Sequence, residues 1–170
     1  MDWNLADVFE AVADAIPDAP AQRQGGRVDT WEQFDRRANA LTADLVDAGL
    51  THQSKVAAYA QNAPEYMETY LAAFKGGFAP VNTNFRYGPN EVRYLFDNAD
   101  AEAVVFQARY SEVVDAVRHD LPKVRRWYVA DDESGERPDW ATPYAEVVDG
   151  GADRGSTPWD RSGDDLLLLY

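Results

Sequence analysis

"KVAAYAQNAPEYMETYLAAFKGGFAPVN", Lys55 to Asn82, decides the fold. It opens with "KVAAYAQN", Lys55–Asn62, a strand leaving a polar end, whose run Val56–Ala60 shows little in–out alternation, as burial on both faces requires. Pro64 then stands in a first helical turn, where a missing N–H costs nothing. Met67, Tyr70, Leu71 and Phe74 follow at helical spacing and are predicted to face inward. Gly76-Gly77 stops the helix, and "FAPVNTNF" (78–85) is a strand or extended run. A strand, a helix and a second strand joined in this way form a parallel crossover unit.

The same alternation extends in both directions. Downstream, "GPNEVRYLFDNAD" reads as a helix with Val92, Leu95 and Phe96 inward, stopped near Asn98. "AEAVVF" is a strand, "SEVVDAVRHDL" a helix and "VRRWYVADD" a strand. Upstream, Asn4 caps a helix to about Ile16, with Leu5, Val8, Phe9, Val12 and Ile16 on one face. "APAQRQGGRVDT" gives two short strands about Gly25-Gly26. Thr30 and Gln33 form a capping box for a helix to Ala48, which Gly49 ends. From 131 to 164 the chain is a polar, irregular connection holding one short helix, "YAEVVD"; "LLLLY" (166–170) then reads as a buried strand. The expected class is α/β, with parallel-sheet layers covered by helices on both faces.

Charge narrows the partners. Thirty acidic residues, of which 20 are aspartates, oppose 16 basic ones, and the net charge is −14. Such a field repels nucleic-acid phosphates and anionic lipid heads, which excludes binding driven by charge to either. Cysteine is absent, so disulfides, thiol nucleophiles and cysteine metal sites are excluded, and a reducing cytoplasm fits. "MDWNLADVFEAVADAIPDAP" lacks the basic n-region of a signal peptide. No apolar run approaches the ~20 residues that span a bilayer. A soluble cytoplasmic protein with no transmembrane segment is expected.

Chemistry-bearing residues are sparse. His52 and His119 read as loop and helix-end residues, and no serine or threonine has a base at a recognisable spacing. Asp131–Glu133 and Asp164-Asp165 lack the alternating ligands of a calcium loop and read as surface turns. The glycines of "KGG" (75–77) follow a helix, whereas a phosphate loop needs them after a strand. No catalytic residue and no metal ligand is assigned. "NTNFRYGPNEVRYLFDN" stands apart, because it gathers Asn82, Asn84, Arg86, Tyr87, Asn90 and Arg93 where a parallel strand ends and a helix begins. Ligands bind at such carboxyl ends. Arg86 either grips a phosphate bidentately or pairs with a local carboxylate, and the residues alone leave both open.

Taken together, these segments resemble the N-terminal part of the AMP-forming adenylating enzymes. "VDTWEQF" (28–34) is similar to that family's first core motif, and "LAAFKGGFAPVN" (71–82) to its second. "AYAQNAPEYMETYLA" looks like the strand, loop and helix between them. "NTNFRYGPNEVRYLFDNAD" is similar to acyl-CoA synthetases that activate long-chain fatty acids or steroid side-chain acids.

The resemblance implies that 1–170 is a partial N-terminal AMP-binding domain of an acyl-CoA synthetase, with the C-terminal domain absent. It implies ATP, Mg2+ and coenzyme A as cofactors of the parent enzyme, none held tightly by these 170 residues, and a small carboxylic acid as substrate. It implies Arg86 as a contact to a coenzyme A phosphate. In this family "LLLLY" leads into the loop that wraps the ATP phosphates, so the chain alone is expected to be inactive, and to self-associate through that strand. The other readings are a non-catalytic α/β ligand-binding or interaction module, and an unrelated nucleotide-binding domain, the latter disfavoured because no glycine-rich loop follows a strand.

Overall fold

Both helix starts read from Asn4 and Thr30 are hydrogen-bonded boxes. In the computed structural model, which describes residues 3–135 and 137–164, Asn4 Oδ1 accepts from Ala6 N–H at 2.8 Å and Asp7 accepts from Asn4 N–H at 2.9 Å. Thr30 Oγ1 accepts from Gln33 N–H at 3.2 Å, and Gln33 accepts from Thr30 N–H at 2.9 Å. These caps open α1 (Leu5–Ala15) and α2 (Trp31–Asp47). Between the two helices, β1 (Pro20–Gln24) and β2 (Arg27–Thr30) pair as an antiparallel ribbon about Gly25, whose φ of 56° suits the turn.

The quoted segment folds as read, into β3 (Lys55–Tyr59), α3 (Pro64–Lys75) and β4 (Ala79–Asn82). Gly76 caps α3 and Gly77 takes φ 62°; the strand ends at Tyr59 and Gln61-Asn62 belong to the loop beyond it. Then come α4 (Pro89–Asn98), β5 (Ala101–Gln107), α5 (Ser111–Asp115), β6 (Arg126–Ala130), β7 (Thr142–Pro143) and α6 (Tyr144–Val148). Five strands form one parallel sheet in the order β4-β3-β5-β6-β7.

Alternate strand residues feed two cores, which is why the strands read as unbroken apolar runs. Val56, Ala103, Val105 and Tyr128 join α1, α2, α3 and α6 on one face. Ala57, Tyr59, Val81, Val104, Phe106 and Val129 join α4 and α5 on the other.

Several expectations need correction. The buried face of α1 is Ala6 and Ala13, with Phe9 against the core, while Leu5, Val8 and Ile16 are exposed. Met67 is also exposed, and Glu68 and Thr69 face inward beside Leu71 and Phe74. The helix expected over 111–121 breaks after Asp115, and its later turns tighten to i→i−3 bonds such as Asp120 N–H to Val117 O at 2.9 Å. That tightening keeps Val114, Val117 and Leu121 on the sheet.

The segment 131–164 is irregular over most of its length, yet it contributes β7 and α6 and ends as a strap held by charge. Arg154 bonds Asp14 and Asp35, Arg161 bonds Asp7 and Glu10, and Trp159 Nε1–H donates to Gly76 O at 2.8 Å. The strap crosses α1 from Asp14 toward Asn4, whose Nδ2 donates to Ser162 O at 3.1 Å. The strand expected at 166–170 lies outside the described residues, and so does the self-association expected through it.

Candidate functional site at the carboxyl ends of the sheet

Parallel strands end together at Tyr59, Asn82, Gln107 and Ala130, so the loops that follow them share one edge. The loop after β4 is held from both sides. Thr83 N–H donates to Ala58 O at 3.2 Å, and Tyr59 O–H donates to Tyr87 O at 2.5 Å. Burial pushes the Tyr59 hydroxyl up to about 12, so it remains a donor at neutral pH. Between these anchors the chain makes a tight turn in which Arg86 N–H donates to Asn84 Oδ1 at 3.0 Å and Tyr87 N–H to Asn84 O at 3.0 Å.

Arg86 is exposed on this turn, and its guanidinium carbon lies 5.3 Å from the Phe85 ring centroid. Among the described residues no carboxylate stands within ion-pair distance of it. Arg93 is also exposed, on α4. Gly88 N–H is capped by Glu91 at 3.1 Å, and Tyr87, Asn90, Glu91, Tyr94 and Leu95 line a recess of about 430 Å³ beside the turn.

Topology adds residues that the sequence reading passed over. From β3 the chain goes first to β4 on one side and then back across to β5 on the other, so the topological switch point lies between β3 and β5. Gln61, Gln107, Arg109 and Asp132 meet there. Gln61 N–H donates to Gln107 Oε1 at 2.9 Å, Arg109 bonds the Asp132 carboxylate, and Tyr110 packs on Tyr59 with ring centroids 4.3 Å apart. Burial pushes the Asp132 carboxyl up, but hydrogen bonds from Arg109 and Ser134 outweigh it and hold the group below its ordinary value. Arg109 was invisible in the sequence because strand order is not written there.

The remaining candidates fall elsewhere. His52 lies against Gly77, ahead of β3, and His119 is exposed on the turn between α5 and β6. Asp131 and Asp132 accept from Glu133 and Ser134 N–H as a surface turn, and no group of three metal-ligating side chains occurs among the described residues. A larger recess of about 560 Å³ lies beneath the strap, but its cations Lys75, Arg154 and Arg161 are each paired with carboxylates. No helix among the described residues is long and apolar enough to cross a membrane.

One buried hydroxyl at the edge is unmatched. Thr83 is 1% exposed, and its Oγ1 has no hydrogen-bond partner among the described residues. Thr83→Val keeps the shape and removes the orphaned group, so it is expected to stabilise the chain by about 1 kcal/mol, or raise Tm by roughly 2–4 °C. A lower Tm in calorimetry would mean that Oγ1 has a partner outside the described residues.

A family model described as AMP-binding enzyme matches residues 9–170. The chain belongs to that family. Within it, the chain is 37% identical to a medium/long-chain-fatty-acid–CoA/3-oxocholest-4-en-26-oate–CoA ligase of Mycobacterium tuberculosis, over 98% of its own length and 31% of the relative's. It is 35% identical to a 3-oxocholest-4-en-26-oate–CoA ligase of Rhodococcus rhodochrous, again over 31% of that protein.

Solved structures agree on the fold. A fatty acyl CoA synthetase of Mycobacterium tuberculosis superposes with a TM-score of 0.82 at 23% identity, covering 98% of this chain and 32% of that one. A coronafacic acid ligase of Pectobacterium brasiliense gives 0.84 at 14% identity, covering 99% and 33%. The chain thus spans about a third of the length of the curated relatives it matches.

Proposed function

We propose that this chain is the N-terminal part of the large domain of an AMP-forming acyl-CoA ligase acting on a fatty or steroid side-chain acid. The observation that carries the reading is 37% identity, maintained over 98% of the chain, to a ligase named for those two substrate classes. In such an enzyme a carboxylate attacks the α-phosphorus of ATP, giving acyl-adenylate and pyrophosphate. The thiol of coenzyme A then displaces AMP, and Mg2+ offsets phosphate charge.

Within this scheme the chain's own residues bind and position. Arg86 takes a phosphate of coenzyme A; its exposure, its turn and the lack of a paired carboxylate among the described residues support that role. The segment 131–164 connects the sheet to the remainder of the domain, and the absence of cysteine supports a cytoplasmic setting.

The test is a chimera in which these 170 residues replace the matching third of the M. tuberculosis ligase. It is expected to form acyl-CoA, whereas the chain alone shows no ATP–pyrophosphate exchange. Arg86→Ala in the chimera should raise the KM for coenzyme A about tenfold, the loss of one charged hydrogen bond, and leave exchange intact. A folded but inactive chimera counts against the ligase reading. An unchanged KM removes Arg86 from the site.

A further inference from the structure

The end of β4 carries a side-chain amide with an imposed orientation. Tyr66 and Tyr70 stack on α3 with ring centroids 4.6 Å apart, and their hydroxyls are 2.7 Å apart. Tyr66 OH is also 2.8 Å from Asn82 Oδ1. A tyrosine hydroxyl has one proton and an amide oxygen only accepts, so the protons have one arrangement: Tyr70 donates to Tyr66, and Tyr66 donates to Asn82. Burial and the bond to Tyr66 push the Tyr70 hydroxyl well up, so Tyr70 remains a donor at neutral pH.

With Oδ1 held in this way, Asn82 must present Nδ2 and its two donors away from Tyr66. Asn82 is half-buried, and Nδ2 has no partner among the described residues. It stands four positions before Arg86, at the start of the turn anchored by Asn84 and Tyr87. An uncommitted donor of fixed orientation in such a place suits an oxygen acceptor.

We infer that Asn82 Nδ2 donates to a phosphoryl oxygen of the coenzyme A that Arg86 holds, and that Tyr66, backed by Tyr70, is the positioning residue that aims it. The inference rests on the reading of Arg86 given above. Asn82 thereby adds direction to a site whose charge comes from the guanidinium. Tyr66 acts only through Asn82.

The experiment is a titration with coenzyme A of the chimera described above, ¹⁵N-labelled at asparagine and arginine, following the Asn82 side-chain amide pair and the Arg86 Nε–H. Both are expected to move with a single dissociation constant. Asn82→Ala should weaken binding about tenfold and Tyr66→Phe about threefold, with Tm almost unchanged in the first; a purely structural residue would show the opposite split. If Arg86 moves and the Asn82 amide does not, this inference fails and the Arg86 reading stands. If neither moves, both fail. The relay is tested without ligand: Tyr66→Phe must shift the Asn82 amide pair in the free chimera, and an unmoved pair overturns it.

Discussion

Replacing Glu68 by alanine is expected to lower the stability of the chain by about 3–5 kcal/mol, the usual cost of breaking a buried ion pair from one side. Glu68 is fully buried on α3. Its Oε1 accepts from Arg27 at 2.7 Å, Arg37 at 2.9 Å and Gln22 at 3.1 Å, and its Oε2 from Tyr144 at 3.1 Å. Four elements therefore meet on one carboxylate: β1, β2, α2 and α6. Alanine would leave Arg27 with Asp29 and Glu65 and Arg37 with Asp149 alone, remove the one buried carboxylate the two guanidinium groups share, and deprive Tyr144 OH of its acceptor. Thermal melts should fall by roughly 6–20 °C for a domain of this size. Glu68→Gln, which keeps the shape and loses the charge, should fall between alanine and wild type. A drop no larger than that of the exposed Glu112→Ala would show that the cluster contributes nothing.

The second large effect is on acid stability. Glu10 accepts from Lys75 at 2.6 Å and from Arg161 through both oxygens at 3.0 Å. Burial pushes its carboxyl up, but hydrogen bonds from Arg161 and Lys75, reinforced by their charges, bring it down to about 2 from an ordinary 4.5. A group lowered on folding binds its proton more readily in the unfolded chain. Its contribution is therefore complete above the ordinary value and disappears as the pH falls from 4.5 to about 2. The size is on the order of 3 kcal/mol. Urea melts across that window should show stability falling as acid is added, with Glu10→Gln less stable at neutral pH and less sensitive to acid. Parallel profiles for the two proteins would rule Glu10 out. Arg161 lies on the strap, so its release from Asp7 and Glu10 should be the first visible event.

These two clusters also mark where the sequence was hardest to read. An apolar stripe at helical spacing, Leu5, Val8, Val12 and Ile16, looks like a buried face. In the fold, however, α1 turns alanines to the core and offers Asp7, Glu10 and Asp14 to the arginines of the strap. Met67 yields to Glu68 for the same reason: cations from distant segments make a carboxylate the better buried residue. The partners lie 31 to 154 positions apart in the chain, so no local pattern reveals them.

The candidate site divides in the same way. Arg86, Asn82 and the turn between them were legible, because a run of asparagines between a strand and a helix has a local chemical meaning. The hydroxyls of Tyr59 and Tyr66 that hold that turn were not, since they approach from the neighbouring strand and helix. Arg109 was hidden because the switch point depends on the order in which strands lie side by side.

What the sequence determined by itself is whatever short-range geometry dictates. It specified the cap at Asn4, the capping box at Thr30, the glycine stops after α2 and α3, the parallel crossover and the membership of β3, β4, β5 and β6 in a doubly covered sheet. Tertiary structure alone decided which helix faces are buried, which carboxylates are interior and which loops share an edge. The reason is electrostatic and topological: a charge becomes a core residue only when its counter-charge arrives from elsewhere in the chain, and strands acquire neighbours only when the sheet assembles.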